Sequence, residues 1–567
     1  MSLSLSTAFS NAKSIMERSG YKLKPFQEDG VQWMLGKELG SKLTHLRGGI
    51  LADDPGLGKT IQTAALMAGN PKTKTLIIVP TSVISQWTKT LGRILGEDEI
   101  YLHYGSSKAK TPLQLMSKKF SICVTSHGGC FTATSKKSAL SETLNNEAEK
   151  SRLKTVLHTL VWDRIIVDEA HVLRNTNTKI HLACSMFKNK INSMWGLTGT
   201  PVQNSEMDMV SLAKFIGFDS RTAINMLEQF VGAYVLRRTK DVLIQTTPLE
   251  DYEIINHYVP FKTKAEQDVY EYIEKDAISE MARASEQNKD TSAMNMVLME
   301  LLLRLRQTAS HPGVVLDAFE RKYSEFEFET EFDKEGISSK ISALIEQIKK
   351  TSNYCLVFAH FRKEMKMVQK FLYEEGIQAE LYDGSLNLNQ RNALIEKYDD
   401  EPVKKKIVLI NGKRKLMENK PRVLIIQIKA GGVGLNLQQF SDVFILSPDW
   451  NPSNEIQAIA RAHRLGQTKN VSVHKFTVIY NPELDKDLDS EDEKDEDNNM
   501  DSDPISSNKK TTVEERILSV QIRKRELMAT MLDDGSLEFK ETFILGGKKI
   551  SNRLSQDDMK YIIGGEE

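Results

Sequence analysis

Apolar positions along the chain gather into short runs rich in Val and Ile, each followed at once by a turn of small or polar residues. In the first half these runs are residues 75–79 before Pro80-Thr81, 120–124 before Thr125-Ser126, 164–167 before Asp168-Glu169, and 193–197 before Thr198-Gly199-Thr200-Pro201. In the second half they are residues 354–358 before Ala359-His360, 423–428 before Lys429-Ala430-Gly431-Gly432, and 443–446 before Ser447-Pro448-Asp449. Runs of this length, spaced by helical stretches, predict buried parallel strands of α/β sheets. Ligands of such sheets sit at the carboxyl ends of the strands. The chemistry is therefore expected in the turns.

Between the two sets, residues 240–339 have helical spacing and are Met-rich from 281 to 299. This stretch is read as a helical protrusion and linker joining two α/β lobes. The 567 residues suit two to four domains. The expected order is an N-terminal extension (1–22), a first lobe (23–239), the protrusion (240–339), a second lobe (340–480), an acidic insert (481–510) and a closing helix with its tail (511–567). Thr512-Val513-Glu514-Glu515 has capping-box spacing and predicts a helix to about Leu532.

Charge changes this picture in one place. The formal net charge of −1 conceals twelve acidic residues against two lysines between Glu483 and Asp503, which leaves about +9 on the rest. A mildly basic body permits nucleic-acid binding. The acidic segment has few apolar residues and is expected to be a disordered loop. Cys123, Cys130, Cys184 and Cys355 are widely and irregularly spaced, so no zinc site is expected. There is no run of 18 apolar residues, so no membrane span is expected.

Three clusters carry chemistry. Asp53-Asp54-Pro55-Gly56-Leu57-Gly58-Lys59-Thr60 reads as a phosphate-binding loop that follows an apolar segment and opens a helix. Its backbone amides would meet phosphates, Lys59 would reach the β- and γ-phosphates, and Thr60 would ligate magnesium. The first glycine position of the strict pattern holds Asp53. About 110 residues on, Asp168-Glu169-Ala170-His171 closes a predicted strand. Asp168 is assigned to the metal and Glu169 to the attacking water. Finally, Gln457, Arg461 and Arg464 fall at i, i+4 and i+7 and would share one helix face. Arginines so placed can stabilise charge on a transferred phosphoryl group.

In this order and spacing the clusters resemble the SWI/SNF-type ATPases of helicase superfamily two. The resemblance covers about residues 24–545. It also rests on Leu23-Lys-Pro-Phe-Gln-Glu-Asp-Gly-Val-Gln-Trp33, Ile78-Val-Pro-Thr81, Val124-Thr125-Ser126, Leu197-Thr-Gly-Thr-Pro201 and Tyr234-Val-Leu-Arg-Arg-Thr-Lys240. In the second half it rests on Arg304-Leu-Arg-Gln-Thr-Ala-Ser-His-Pro312, Asp383-Gly-Ser385, Ala430-Gly-Gly-Val-Gly-Leu-Asn436, Asp449-Trp-Asn-Pro452 and Val513-Glu-Glu-Arg-Ile517. The group nearest in motif detail is that of helicase-like transcription factor, whose relatives often carry a RING finger between the lobes. No Cys/His cluster stands there in this chain.

The resemblance implies two RecA-like lobes, ATP and Mg2+ as cofactors, and double-stranded DNA as partner. It implies a nucleotide site built from Gln27, Asp54, Pro55, Gly56, Leu57, Gly58, Lys59, Thr60 and Gly434. Thr198 and Thr200 would couple this site to DNA. Thr81, Thr125, Ser126, Lys429 and Gly432 would meet the DNA backbone. The expected activity is translocation on duplex DNA that remodels or displaces bound proteins, a nucleosome or transcription complex among them. The alternatives are a strand-separating helicase, an RNA-directed ATPase and a non-catalytic DNA-binding scaffold. The expected compartment is the nucleus for a eukaryotic chain, and otherwise the cytoplasm or a viral compartment. Three features depart from the family pattern: Pro55 replaces a usual Met, Gln427-Ile428 replaces Ser-Thr, and residues 401–421 look inserted.

Overall fold

The computed structural model describes residues 3–40, 47–132, 152–187, 193–202, 206–239, 242, 252–287, 291–318, 333, 335–386, 388–398, 403–410, 413–428, 435, 437–464, 466–485, 510–532 and 556–564. Two all-parallel sheets organise them. The first holds β1 (Gly48–Leu51), β2 (Thr75–Val79), β3 (Ile100–His103), β4 (Ile122–Ser126), β5 (Arg164–Asp168), β6 (Ser193–Leu197) and β7 (Val235–Leu236), in the order β3-β4-β2-β5-β6-β1-β7. The second contains β8 (Glu253–Pro260), β9 (Cys355–Ala359), β10 (Ala379–Tyr382), β13 (Val423–Gln427), β14 (Asp442–Ile445) and β15 (Ser472–Ile479), in the order β10-β13-β9-β14-β15-β8. Strands β11 (Lys405–Ile410) and β12 (Lys413–Glu418) pair with each other as a separate antiparallel hairpin.

Strands buried on both faces lack polar alternation, which is why β2, β5, β6, β9, β13 and β14 stand out as apolar runs. Edge strands β3 and β10 are only partly buried and carry no such run. Strand β8 lies inside the stretch expected to be helical. It pairs with β15 along its whole length, so residues 253–260 complete the second sheet.

Helices cover both faces of each sheet. The N-terminal helix (Leu5–Arg18) buries Ala8, Ala12 and Met16 completely, at i, i+4 and i+8, against the first lobe. Its contact with the helix Lys59–Gly69 is close. A Cβ at Gly69 would lie 2.6 Å from the Ala8 carbonyl oxygen. Below that sheet the buried carboxylate of Glu38 accepts from Arg164 Nε (2.7 Å), Ser193 Oγ (2.7 Å), Trp195 Nε1 (2.9 Å) and Asn70 Nδ2 (2.7 Å). Burial opposes its charge, but Arg164 and these donors hold it down at about 2.

The helices Lys264–Glu286 and Thr291–Ser310 share a core with Val513–Leu532 and Gln556–Ile563, through Ile273, Leu298, Leu302, Leu305, Val513, Ile517 and Ile562. The capping box forms as expected. Thr512 N–H donates to Glu515 Oε2 (2.8 Å), and Glu515 N–H donates to Thr512 Oγ1 (3.4 Å). This closing helix also pins the second lobe. Glu514 pairs with buried Lys340 at 2.5 Å, and Gln521 donates to the Asp449 carbonyl.

Candidate active site

The loop between β1 and the helix Lys59–Gly69 is set by two neighbours. Gly58, at φ +83°, opens the helix. A Cβ there would lie 2.5 Å from Gln27 Nε2, which instead donates to the Leu57 carbonyl at 3.0 Å. Only glycine satisfies both the left-handed backbone and the close approach. Leu57 itself is buried against Phe26. Along the other side, Ala52 N–H donates to the Leu236 carbonyl (2.7 Å) and Asp54 N–H to the Arg238 carbonyl (3.0 Å).

The same segment explains the aspartate at the first loop position. Asp53 is fully buried. Its carboxylate receives Arg238 Nε at 2.9 Å, the Arg238 terminal nitrogen at 2.5 Å and Gln62 Nε2 at 2.9 Å. Arg238 donates in addition to the Phe26 carbonyl. Three elements, loop, helix and the strand-end after β7, thus converge on one carboxylate. The motif from Tyr234 to Lys240 gives Arg238 no role in the sequence alone, so this cluster was not among the expected site residues. The signal was available: an acidic residue where backbone freedom is wanted needs a buried cation.

Lys59 Nζ donates to the carbonyls of Asp53 (2.6 Å) and Asp54 (3.3 Å). Burial lowers its pKa, against the pull of Glu169, Asp53, Asp168 and Asp54. Asp168 ends β5. It accepts from Trp87 Nε1 at 2.8 Å and from the Glu169 N–H at 3.0 Å, while His127 Nε2 contacts its carbonyl at 2.8 Å. Burial and the adjacent Glu169 push the Asp168 carboxyl up to about 6. Burial also disfavours the charge on Glu169, but His171, Lys59 and Arg461 more than offset it and hold Glu169 below the usual range. Glu169 is the one non-glycine residue at positive φ (+51°) among the described residues. Strained backbone of this kind is costly and persists where the surroundings fix it. Here it aims the carboxylate at His171 Nδ1, 3.2 Å away.

From the second lobe, the helix Pro452–Ala462 brings Gln457 and Arg461 to the same cleft. Arg464 was expected on that helix face. It stands instead in the bend beyond Ala462, and it still lines the cleft because the bend folds back toward Gly56. Arg461 is buried and its pKa falls to about 10, through burial first and Arg464 second. The two cations, Arg461 buried and Arg464 half-buried, repel each other, and both face Asp168. Pro55, Gly56, Gly58, Lys59, Thr60, Asp168, Glu169, Arg461 and Arg464 therefore line a single cavity between the lobes.

A polar relay crosses the lobes beside it. His171 Nδ1 lies 3.4 Å from Thr198 Oγ1, which accepts from the Thr200 N–H at 3.1 Å. Gln457 Nε2 donates to Thr200 Oγ1 at 3.5 Å. Asp54 is half-buried, with Arg237 3.8 Å from its carboxylate. Of the residues expected at DNA, Thr81 is exposed just after β2, and Ser126 is buried at the end of β4. Thr125 is fully buried and its hydroxyl donates to the His103 carbonyl at 3.1 Å, so this hydroxyl is already committed. Lys429, Gly432 and Gly434 lie outside the described residues, as does most of the acidic insert.

This geometry accords with what the chain is similar to. The family model of the SNF2-related domain matches residues 26–314, and that of the helicase conserved C-terminal domain matches residues 339–466. The chain belongs to the SNF2-related family. As an SNF2-related ATPase of helicase superfamily two it is 28% identical, over 482 residues, to a probable global transactivator of Orgyia pseudotsugata multicapsid polyhedrosis virus, covering 80% of this chain and 85% of that protein. It is also 28% identical to the putative ATP-dependent helicase/translocase YwqA of Bacillus subtilis, over 80% of this chain and 46% of that protein. It is 24% identical to the ATP-dependent DNA helicase DDM1 of Arabidopsis thaliana, over 81% of this chain and 59% of that protein. The SNF2-related ATPase thus spans most of the viral relative but less than two thirds of the other two. Among solved structures, the Sulfolobus solfataricus SWI2/SNF2 ATPase core in complex with dsDNA matches 96% of this chain and 98% of its own, at 21% identity and a TM-score of 0.35. No helix among the described residues is long and apolar enough to cross a membrane.

Proposed function

We propose that this SNF2-related ATPase moves along double-stranded DNA and remodels or displaces proteins bound to it. The observation that carries the reading is the shared cavity. Lys59, Asp168 and Glu169 come from one lobe and Arg461 and Arg464 from the other, so the site is complete only when the lobes meet. A site divided in this way links nucleotide turnover to lobe closure, which is what stepping along a track requires.

The residues fit ATP with magnesium. Two arginines that repel each other, Arg461 buried and Arg464 half-buried, and a lysine donating to loop carbonyls, describe a cavity shaped for a polyanion. Thr60 and Asp168 would hold the magnesium ion, which supplies charge neutralisation on the phosphates. Glu169, ionised and steered by His171, orients the attacking water. Arg461 and Arg464 stabilise charge as it shifts during transfer. The relay His171–Thr198–Thr200–Gln457 is the path by which closure reports to the glutamate. Thr81 and Ser126 at the strand ends, with Lys429 and Gly432, are proposed to face the DNA backbone, which carries affinity without sequence information.

Steady-state ATP hydrolysis without nucleic acid, and with single-stranded DNA, duplex DNA and duplex RNA, tests the reading alongside displacement of a third strand from a triplex. Stimulation by duplex DNA with triplex displacement and no unwinding is expected. Stimulation by single strands with duplex unwinding would replace it with the helicase reading.

A further inference from the structure

Within the stretch 401–421, which looked inserted in the sequence, residues 405–410 and 413–418 pair as the hairpin β11–β12. Its register pairs Ile410 with Lys413, so Asn411-Gly412, a dipeptide suited to a tight two-residue turn, lies between the strands. The base is anchored firmly. Glu418 N–H donates to the Gly376 carbonyl (2.9 Å), and Glu418 is buried with Arg422 Nε at 2.6 Å and the Gln378 N–H at 3.1 Å. Asn419 and Lys404 close the ladder, N–H to carbonyl at 2.8 Å.

One face of the hairpin packs down, and the other looks out except at its base, where Glu418 opposite Lys405 is buried. Met417 is buried, and Val408 and Lys415 are half-buried. Side chains alternate along a strand and oppose each other across the pair. Lys405, Ile407, Leu416 and Arg414 therefore share the outer face, and all four are exposed, Ile407 at 71%. Lys404 and Lys406 are exposed beside them. From 404 to 420 the sequence holds seven basic residues and a single acidic one, the buried Glu418. Among the described residues, two nearby carboxylates are engaged elsewhere: Glu375 with Lys349 at 2.7 Å and Glu380 with Lys397 at 2.5 Å. Among the described residues, Lys404, Lys405, Lys406 and Arg414 make no ion pair.

We propose that this hairpin is a second contact for duplex DNA, separate from the inter-lobe track. The proposal rests on the DNA reading above. Four cations that make no ion pair among the described residues, carried on a two-stranded ribbon, suit the phosphate spacing of a duplex. The opposed Ile407–Leu416 pair between them suits the sugar edges and thymine methyls of a groove. The hairpin enters β13 at its amino end, whereas the nucleotide-site loops leave the carboxyl ends of the strands. The contact thus extends the DNA footprint rather than duplicating the cleft, and holds the duplex while the lobes open.

The test compares the full chain with a variant carrying Lys404→Glu, Lys405→Glu, Lys406→Glu and Arg414→Glu. Binding of a long duplex is measured as a function of salt, together with basal ATP turnover. Basal turnover and the melting curve should be unchanged, duplex affinity should fall tenfold or more, and the log–log salt slope should become shallower by about 3–4. A photoreactive phenylalanine analogue at Leu416 should cross-link to the duplex. Unchanged affinity and slope, in a variant that melts like the parent, would overturn the hairpin contact. So would an absent cross-link. If the parent chain itself shows no duplex binding, the DNA reading fails, and the hairpin proposal with it. A parent that binds duplex with a variant that binds equally well would sink the hairpin alone.

Discussion

Gln457 Nε2 meets Thr200 Oγ1 at 3.5 Å, across the cleft and 257 positions apart in sequence. It joins the lobe that carries the arginines to the strand-end that reaches Glu169 through Thr198 and His171. Gln457→Ala or Thr200→Val should therefore lower the stimulation of ATP turnover by DNA far more than the basal rate. Turnover with and without saturating duplex checks this. Equal losses in both would show that the relay only holds the site together.

The cavity sets the second expectation. Lys59→Ala and Glu169→Gln should abolish measurable turnover while duplex affinity stays within a few-fold. Arg461→Ala should cost roughly 10³–10⁵ in rate, the range for arginines that stabilise phosphoryl transfer. Near-normal turnover in any of the three would overturn the site.

Restoring glycine at the first loop position should harm the protein. Asp53→Gly leaves Arg238 without its carboxylate, and removing one partner of a buried pair typically costs about 3–5 kcal/mol. Denaturant melts should show that loss. Adding Arg238→Met should return part of it, because the uncompensated charge then disappears.

Much of the fold was legible because strands buried on both faces have no polar alternation, and β2 and β6 were read to the residue. The Gly-rich loop and the acidic pair, which line one cavity, stood out in the sequence because each is a run of adjacent residues. Three features were not. β8 alternates on an edge and finds its partner more than two hundred residues away, so no local pattern marks its place. Arg464 lies past a helix end that i, i+7 spacing does not reveal. The Asp53–Arg238 pair joins residues 185 apart, and only the aspartate's odd place in the loop hinted that it needed a partner.

Acid should unfold the first lobe in part through Glu38. Its folded pKa of about 2 lies below its unfolded value near 4.5. The stability it adds is thus fully present above the unfolded value and is lost as pH falls from about 4.5 toward 2. The difference corresponds to about 3 kcal/mol. Glu38→Gln should melt at lower temperature at neutral pH and show a flatter decline over that acid window. Parallel melting curves for the two proteins across the window would count against the ion pair as the cause.

Strand β8 also bears on how the chain is made. Its ladder partner β15 emerges about 220 residues later. At ordinary rates of synthesis, about 5–20 residues per second, that is a wait of roughly ten to forty seconds. Throughout it, a strand bearing Ile254 and Tyr258 stands without its neighbour, and unpaired edges of this kind invite association between chains. Production of this ATPase should therefore respond to chaperone supply and to slower, cooler expression more than its final stability suggests, since the hazard is spent before the folded state exists.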